Sequence, residues 1–209
     1  MSNSDRKNLP EIYDEFARTY TENRGRFDIT PILQDFNEIL GMETGRLLDL
    51  GCGAGEPVSR WFVDRGWEVT GVDFSRGMLQ LAQHHVPEMT CIHADMREIR
   101  FPPEHFDAVI ASYSLFHVPR EDHAALFGNI LQWLQPGGRT LFTYATRAYT
   151  GEDAFDGYRE FLGRKLYYSH MSTEQLYATL GTLGFIIEST DYRSIGGEEF
   201  LWITLRKPG

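Results

Sequence analysis

Apolar positions recur along the chain with two periods. Leu47, Leu48 and Leu50 form a short run interrupted by Asp49; Val58, Trp61 and Phe62 then return three or four apart, and Val69 and Val72 open another short run. Short apolar runs suit strands buried beneath helices, whereas the wider spacing marks one face of a helix. Arg46 to Gly71 therefore predicts strand, glycine turn, helix and strand, with Gly66 closing the helix. The alternation repeats. Ser75 is placed to cap a helix running to about His85, and Met89 to His93 and Phe106 to Ser112 read as strands. Ala124, Phe127, Leu131 and Leu134 mark a helical stripe over Glu121 to Leu134, which Pro136-Gly137-Gly138 stops before a strand over Thr140 to Ala145. Ser172 with Gln175 resembles a capping box for a helix ending near Gly184. Two final strands, Phe185 to Thr190 and Phe200 to Leu205, flank Gly196-Gly197 and suit an antiparallel hairpin.

Repeated strand and helix units predict an open α/β sheet whose ligand sits outside the carboxyl ends of the strands. Two aromatic stretches stand outside the repeat. Residues 10–40 hold two predicted helices, and residues 147–171 interrupt the sheet order with Tyr149, Phe155, Tyr158, Phe161, Tyr167 and Tyr168. Both are expected to cover the strand ends, as an amino-terminal helical cover and an inserted substrate lid on one 209-residue domain.

Charge narrows the partners. Thirty acidic against twenty basic residues leave a formal charge of -10, which opposes a broad phosphate-binding face and hence long nucleic acids. Cys52 and Cys91 are too few for a disulfide scaffold, the seven histidines are scattered, and no apolar run is long enough for a membrane span. The expectation is a cytoplasmic protein with no catalytic metal and no membrane partner.

The strongest local signal is Leu47-Leu48-Asp49-Leu50-Gly51-Cys52-Gly53-Ala54-Gly55, a buried strand running into a glycine turn. Gly51 and Gly53 permit a tight turn and close backbone approach to a ligand. A dinucleotide fingerprint wants a third glycine where Glu56 stands, which shifts the pattern away from NAD. Asp73 ends the following strand, where a carboxylate can accept both protons of a ribose diol; capping the next helix is its alternative use. No Gly-Lys-Ser/Thr ending is present, which argues against a triphosphate.

These residues resemble the class I S-adenosylmethionine-dependent methyltransferases. The resemblance runs from Leu47 through Arg206 and includes Val-Thr-Gly-Val-Asp-Phe-Ser at 69 to 75, His-Ala-Asp-Met at 93 to 96, Phe-Asp-Ala-Val-Ile-Ala at 106 to 111 and Leu-Gln-Pro-Gly-Gly at 134 to 138. It implies a Rossmann-like seven-stranded mixed sheet of order 3-2-1-4-5-7-6, flanked by helices and carrying a small helical lid. It further implies that Gly51 and Gly53 pass the methionine part of S-adenosylmethionine, that Asp49 supports its amino group, and that Asp73 binds the ribose. Phe74 would pack near the adenine, Asp95 would accept from its amino group, and Met96 would add a backbone amide and an apolar contact. Tyr20 and Arg24 are the candidates for the cofactor carboxylate.

Ser112, Tyr113 and His117 follow the carboxyl end of the fourth strand, where connections shape binding sites. Ser112 is grouped with the cofactor contacts. His117 is a candidate base or hydroxyl-orienting group, with Tyr168 and His170 as alternative polar handles; for His117, hydrogen bonding of the bend before Pro119 is the competing use. Asp107 falls at the opposite end of its strand and reads as structural. Ser112-Tyr113-Ser114-Leu115 differs from the Asn/Asp-Pro-Pro-aromatic motif of many nucleic-acid amine methyltransferases. The expected reaction is methyl transfer to a small molecule, through O or N, with S-adenosylhomocysteine as product. A nicotinamide-dependent oxidoreductase and a nonenzymatic sensor of S-adenosylmethionine remain alternatives.

Overall fold

The computed structural model describes residues 9–18 and 28–209. Helices α1 (Leu9–Arg18) and α2 (Thr30–Leu40) precede a chain of β1 (Arg46–Leu50), α3 (Val58–Val63), β2 (Glu68–Asp73), α4 (Arg76–His85), β3 (Thr90–His93) and β4 (Phe106–Ala111). A single 3-10 turn (Leu115–His117) leads into α5 (Arg120–Trp133) and β5 (Leu134–Tyr144). Then come α6 (Arg147–Thr150), β6 (Phe155–Phe161), β7 (Arg164–His170), α7 (Thr173–Leu183), β8 (Ile186–Ile195) and β9 (Glu198–Arg206).

Seven strands form one sheet in the order β3-β2-β1-β4-β5-β9-β8, while β6 and β7 pair separately. With that hairpin set aside, the order is 3-2-1-4-5-7-6, and β9 alone runs antiparallel to both of its neighbours. The side-chain period of two divides the inner strands between two cores. Leu48, Leu50, Val109 and Ala111 pack with Phe127, Ile130 and Trp133 of α5 and Leu176 and Leu180 of α7. Leu47, Val69, Ala108 and Ile110 pack with Leu33 and Phe36 of α2, Phe62 of α3 and Leu79 of α4. Full burial of each large side chain contributes about 2 kcal/mol. From β1 the chain goes outward to β2 and β3 and returns on the other side as β4, which opens a crevice at the carboxyl ends of β1 and β4.

Local signals account for most boundaries. Ser75 Oγ accepts from the Met78 amide at 3.1 Å at the start of α4, and Ser172 and Gln175 form both bonds of the capping box of α7, which Gly184 ends in a left-handed conformation. Three expectations are corrected. Helix α3 stops at Val63 with Asp64 as its cap, so Gly66 lies beyond it in the turn to β2. Strand β5 begins at Leu134, and the Pro136-Gly137-Gly138 stretch sits within it, where its register against β4 shifts between Phe106 and Ala108. Residues 147–171 form one helical turn and a β-hairpin, so the cover made by this segment is mainly β. Leu162 and Gly163 both take positive φ between the paired residues Phe161 and Arg164, a two-residue turn that suits the twist of the strands it joins.

Helix α1 and the hairpin close over the strand ends. Asp14 Oδ1 accepts from Ser75 Oγ at 2.5 Å and from the Gly77 amide at 2.8 Å, docking α1 on the first turn of α4. The same bonds hold the Asp14 carboxyl below the usual carboxylate range. No helix among the described residues is long and apolar enough to cross a membrane.

Candidate active site

A cavity of about 260 Å³ opens where the crevice meets this cover. The glycine turn forms its floor. The Gly51 and Cys52 amides both donate to the Val72 carbonyl, at 2.7 and 3.1 Å, folding the turn back onto β2. Gly51 has φ 77°, and an added Cβ would lie 2.4 Å from Ser114 Cβ, so the close approach of the loop after β4 requires glycine. Gly53 has φ 52° with nothing within 4 Å of an added Cβ; its lack of a side chain leaves open space.

Asp73, at the end of β2, is buried and lines the cavity. Its Oδ2 accepts from the Gly53 amide at 2.9 Å and its Oδ1 from the Ser75 amide at 2.8 Å, while Ser75 supplies the cap of α4. Burial raises its carboxyl above the ordinary value against these two bonds. Asp49, at 1% exposure, accepts from Ser59 Oγ at 2.7 Å through Oδ2, but Oδ1 is buried without a hydrogen-bond partner. Burial pushes the Asp49 carboxyl up to about 7; the Ser59 bond opposes the shift and the nearby charge of Asp73 adds to it.

The opposite wall comes from the segment after β4. Tyr113 has φ 52°, a conformation that costs a non-glycine residue about 1–3 kcal/mol, and its amide donates to Thr143 Oγ1 at 2.5 Å. Ser114 Oγ donates to the Leu50 carbonyl at 2.7 Å. His117 Nδ1 lies 2.7 Å from the Tyr167 carbonyl, which can only accept, so this nitrogen carries the proton. Nε2 therefore presents a lone pair and accepts from the Tyr13 hydroxyl of α1 at 2.7 Å. Burial holds the His117 ring down near 4, so it is neutral at physiological pH. A second buried ring braces the turn: His123 Nε2 donates to the Val118 carbonyl at 2.9 Å, and its Nδ1 accepts from the Tyr144 hydroxyl at 2.8 Å.

Of the residues singled out by sequence, Asp49, Gly51, Gly53, Asp73, Phe74, Met96, Ser112, His117 and Tyr168 meet around this cavity. Asp95 and His170 are not among its lining. Asp95 takes hydrogen bonds from the Arg97 side chain on both oxygens; burial pushes its carboxyl up, but Arg97 outweighs that and leaves it below the usual range. His170 packs against Phe155, with Nδ1 donating to the Met171 carbonyl at 3.0 Å and Nε2 facing Thr150 Oγ1 at 2.8 Å. It fastens the end of the hairpin to α6. Tyr20 and Arg24 lie outside the described residues. Asp107, as expected, is structural: its Oδ2 accepts from the Arg46 amide at 2.8 Å, where β1 begins.

Tyr13 and Glu198 line the same cavity without having been singled out as site residues. Glu198 opens β9. Because β9 runs antiparallel to β5, its first residues lie at the carboxyl end of β5, on the rim of the site. Glu198 Oε1 accepts from the Tyr149 hydroxyl at 3.0 Å, and Tyr149 is in turn hydrogen-bonded by Tyr168. Burial pushes the Tyr149 phenol up to about 12 and the Tyr168 phenol further. The Phe116 ring stacks between Tyr168 and Phe200 at centroid distances of 5.0 and 4.9 Å. Glu198 has no local signature; only the sheet order brings it here.

Known proteins resemble the chain in sequence and in fold. A family model described as a methyltransferase domain matches residues 47–138. The chain is 40% identical over 136 residues to YqeM of Bacillus subtilis (strain 168), covering 63% of this chain and 54% of that one. It is 34% identical over 128 residues to the ubiquinone biosynthesis O-methyltransferase of Alkalilimnicola ehrlichii (strain ATCC BAA-1101 / DSM 17681 / MLHE-1), covering 57% and 50%. The chain thus spans about half the length of these curated relatives. A solved S-adenosylmethionine dependent methyltransferase from Mesorhizobium loti superposes with a TM-score of 0.69 at 25% identity, covering 84% of this chain and 96% of the other.

Proposed function

We propose that the chain is a class I S-adenosylmethionine-dependent methyltransferase and that it transfers a methyl group from S-adenosylmethionine to a small-molecule acceptor, forming S-adenosylhomocysteine; the methyltransferase-domain match over residues 47–138 and the likeness to the solved Mesorhizobium loti protein support this reading. The observation that carries this reading is the pair of buried carboxylates at the ends of β1 and β2. Asp49 Oδ1 is a desolvated acceptor with no partner, suited to the ammonium group of the cofactor. Asp73 is held in one orientation by two amides and keeps further lone pairs for a ribose diol. Gly53 leaves room beside them, while Phe74, Met78 and Met96 offer apolar surface to the base.

Bound there, S-adenosylmethionine supplies an electrophilic methyl group whose sulfur leaves as a neutral thioether. The chain's own contribution is positioning and exclusion of water. Helix α1, the hairpin and the loop after β4 bring Tyr13, Phe161, Tyr113 and Phe116 to the cavity wall, which limits the orientations open to an acceptor. An O–H acceptor loses its proton as its bond to the methyl carbon forms, whereas an amine attacks through its lone pair and loses a proton afterwards. The acceptor's proton passes to the Tyr13 oxygen as the phenolic proton of Tyr13 moves to His117 Nε2, which already accepts that hydrogen bond. Such assistance contributes about 10²–10⁴-fold where the acceptor needs a base. His170, which does not line the cavity, has no step in this scheme.

A dinucleotide fits the site less well. Asp49, Glu56 and Asp73 line the cavity, and no Lys or Arg is among the described lining residues, so a pyrophosphate would meet carboxylates. The test is incubation with methyl-labelled S-adenosylmethionine and a panel of aromatic and aliphatic small molecules. Labelled product and S-adenosylhomocysteine should form in equal amounts. Cofactor binding with no product across the panel would favour a sensor instead.

A further inference from the structure

Strand β8 closes one side of the seven-stranded sheet, and among the described residues no strand pairs with its outer edge. Nearly all of its residues are exposed, Tyr192 by 51%. Which backbone groups face outward follows from the turn after it. Gly196 and Gly197 both take positive φ between the paired residues Ile195 and Glu198, a two-residue hairpin loop whose closing pair exchanges both backbone hydrogen bonds. From there the pairs alternate. Arg193 and Asp191 bond to Phe200 and Trp202 of β9, while Ser194, Tyr192 and Thr190 turn their N–H and C=O groups to the open side. The side chains of Asp191 and Arg193 border a groove beside Ile32 and Ile39 of α2, and Tyr192 points to the opposite face of the sheet.

Charges on an open edge commonly block pairing, but here their order permits it with a second copy. Two antiparallel strands related by a two-fold axis must set one residue opposite its own copy, because hydrogen-bonded and non-hydrogen-bonded pairs alternate. Centred on Asp191 or Arg193, that arrangement puts like charges face to face. Centred on Thr190 or Ser194, it leaves Arg193 opposite an isoleucine, Ile187 or Ile195. Centred on Tyr192, it sets Asp191 against the partner's Arg193 on both sides of the axis, joins the outward groups of Thr190 to those of the partner's Ser194, and brings the two exposed Tyr192 rings together. We propose that the chain forms a two-fold dimer by antiparallel pairing of β8 with β8 of a second copy, in the register centred on Tyr192, which joins two seven-stranded sheets into one. The exposed contact between Asp191 and Arg193 within one chain, at 3.2 Å, is then replaced by two equivalent contacts between chains. This surface is separate from the cavity and stands whatever reaction the chain performs.

The test is analytical ultracentrifugation of the full chain and of two charge variants, Asp191→Arg and Arg193→Asp, run singly and as a mixture. Wild type is expected to reach twice the mass of one chain in the micromolar range. Each variant by itself meets like charges at both pairs and should dimerise about tenfold or more weakly. Mixed in equal amounts, the two restore opposite charges across the axis but not within either chain, so a heterodimer should form with wild-type strength, and its formation shows that both variants fold. Thr190→Pro, which removes an outward N–H that the edge of a single copy does not use, should stay monomeric in the same runs. A monomeric wild type, undiminished dimerisation of Asp191→Arg or Thr190→Pro, or a mixture that forms no heterodimer would overturn the inference.

Discussion

Asp49 gives the account a quantitative handle, because its ionisation must change when a cation arrives. In the folded chain its carboxyl is raised from 3.8 to about 7, chiefly by burial. Three pH units correspond to about 4 kcal/mol by which the ionised form is disfavoured. A cofactor ammonium beside the partnerless Oδ1 would restore that ionised form. Binding of S-adenosylhomocysteine should then expel about half a proton at pH 7, rising to about 0.9 at pH 6 and falling to about 0.1 at pH 8. Calorimetry in two buffers of different ionisation enthalpy reads this number directly. Asp49→Asn should abolish the release and weaken binding by about 10- to 100-fold. The sign for stability is opposite: the folded state holds the Asp49 proton where the unfolded chain has lost it, so stability declines as pH rises from about 4 through about 7. Empty Asp49→Asn protein should therefore have a higher Tm than wild type at pH 8, with the gap closing by pH 5. Tight binding with no proton release at pH 7, or release unchanged in Asp49→Asn, would refute the reasoning.

Four further outcomes follow from the same geometry. Because burial keeps His117 near 4, kcat at saturating cofactor should stay flat from pH 8 down to about 5; a fall centred near 6.5 would contradict the assignment. For an acceptor that needs a base, His117→Asn should lower kcat by about 10²–10⁴-fold while leaving S-adenosylhomocysteine affinity intact, measured by steady-state kinetics beside calorimetry. Gly51→Ala should cost about 2–4 kcal/mol in urea unfolding, since its Cβ meets Ser114 at a left-handed φ, whereas Gly53→Ala should cost about 1 kcal/mol. Asp73→Ala should weaken S-adenosylhomocysteine by more than tenfold, an effect of about 1.4 kcal/mol or more, with Asp107→Ala almost silent in the same titration because its carboxylate serves Arg46 at the far end of the strands.

The parallel core was legible because each of its units carries local punctuation. Apolar runs, the glycine turn, Ser75 and the Ser172 box all act within a few residues, and the wall of the cavity that holds Asp49, Gly51, Gly53 and Asp73 is built from the first of these segments. The hairpin escaped notice for a local reason too: its turn places leucine at the first positive-φ position, where Asn, Asp or Gly would announce it, whereas Gly196-Gly197 announced the hairpin of β8 and β9. Long-range assembly hid the rest. Tyr13 reaches His117 from a helix 104 residues earlier, and Glu198 is delivered by the insertion of β9 between β5 and β8. Asp95 shows the converse, since a motif position that looks free in sequence is engaged by Arg97, its neighbour two residues on.

The most direct measurement is a calorimetric titration of the wild-type chain with S-adenosylhomocysteine and, separately, NAD, repeated with Asp73→Asn. Saturable one-to-one binding of the sulfur nucleoside, marked weakening by the substitution, and no comparable heat from NAD are expected. Preference for NAD, or indifference to both ligands, would contradict the cofactor assignment.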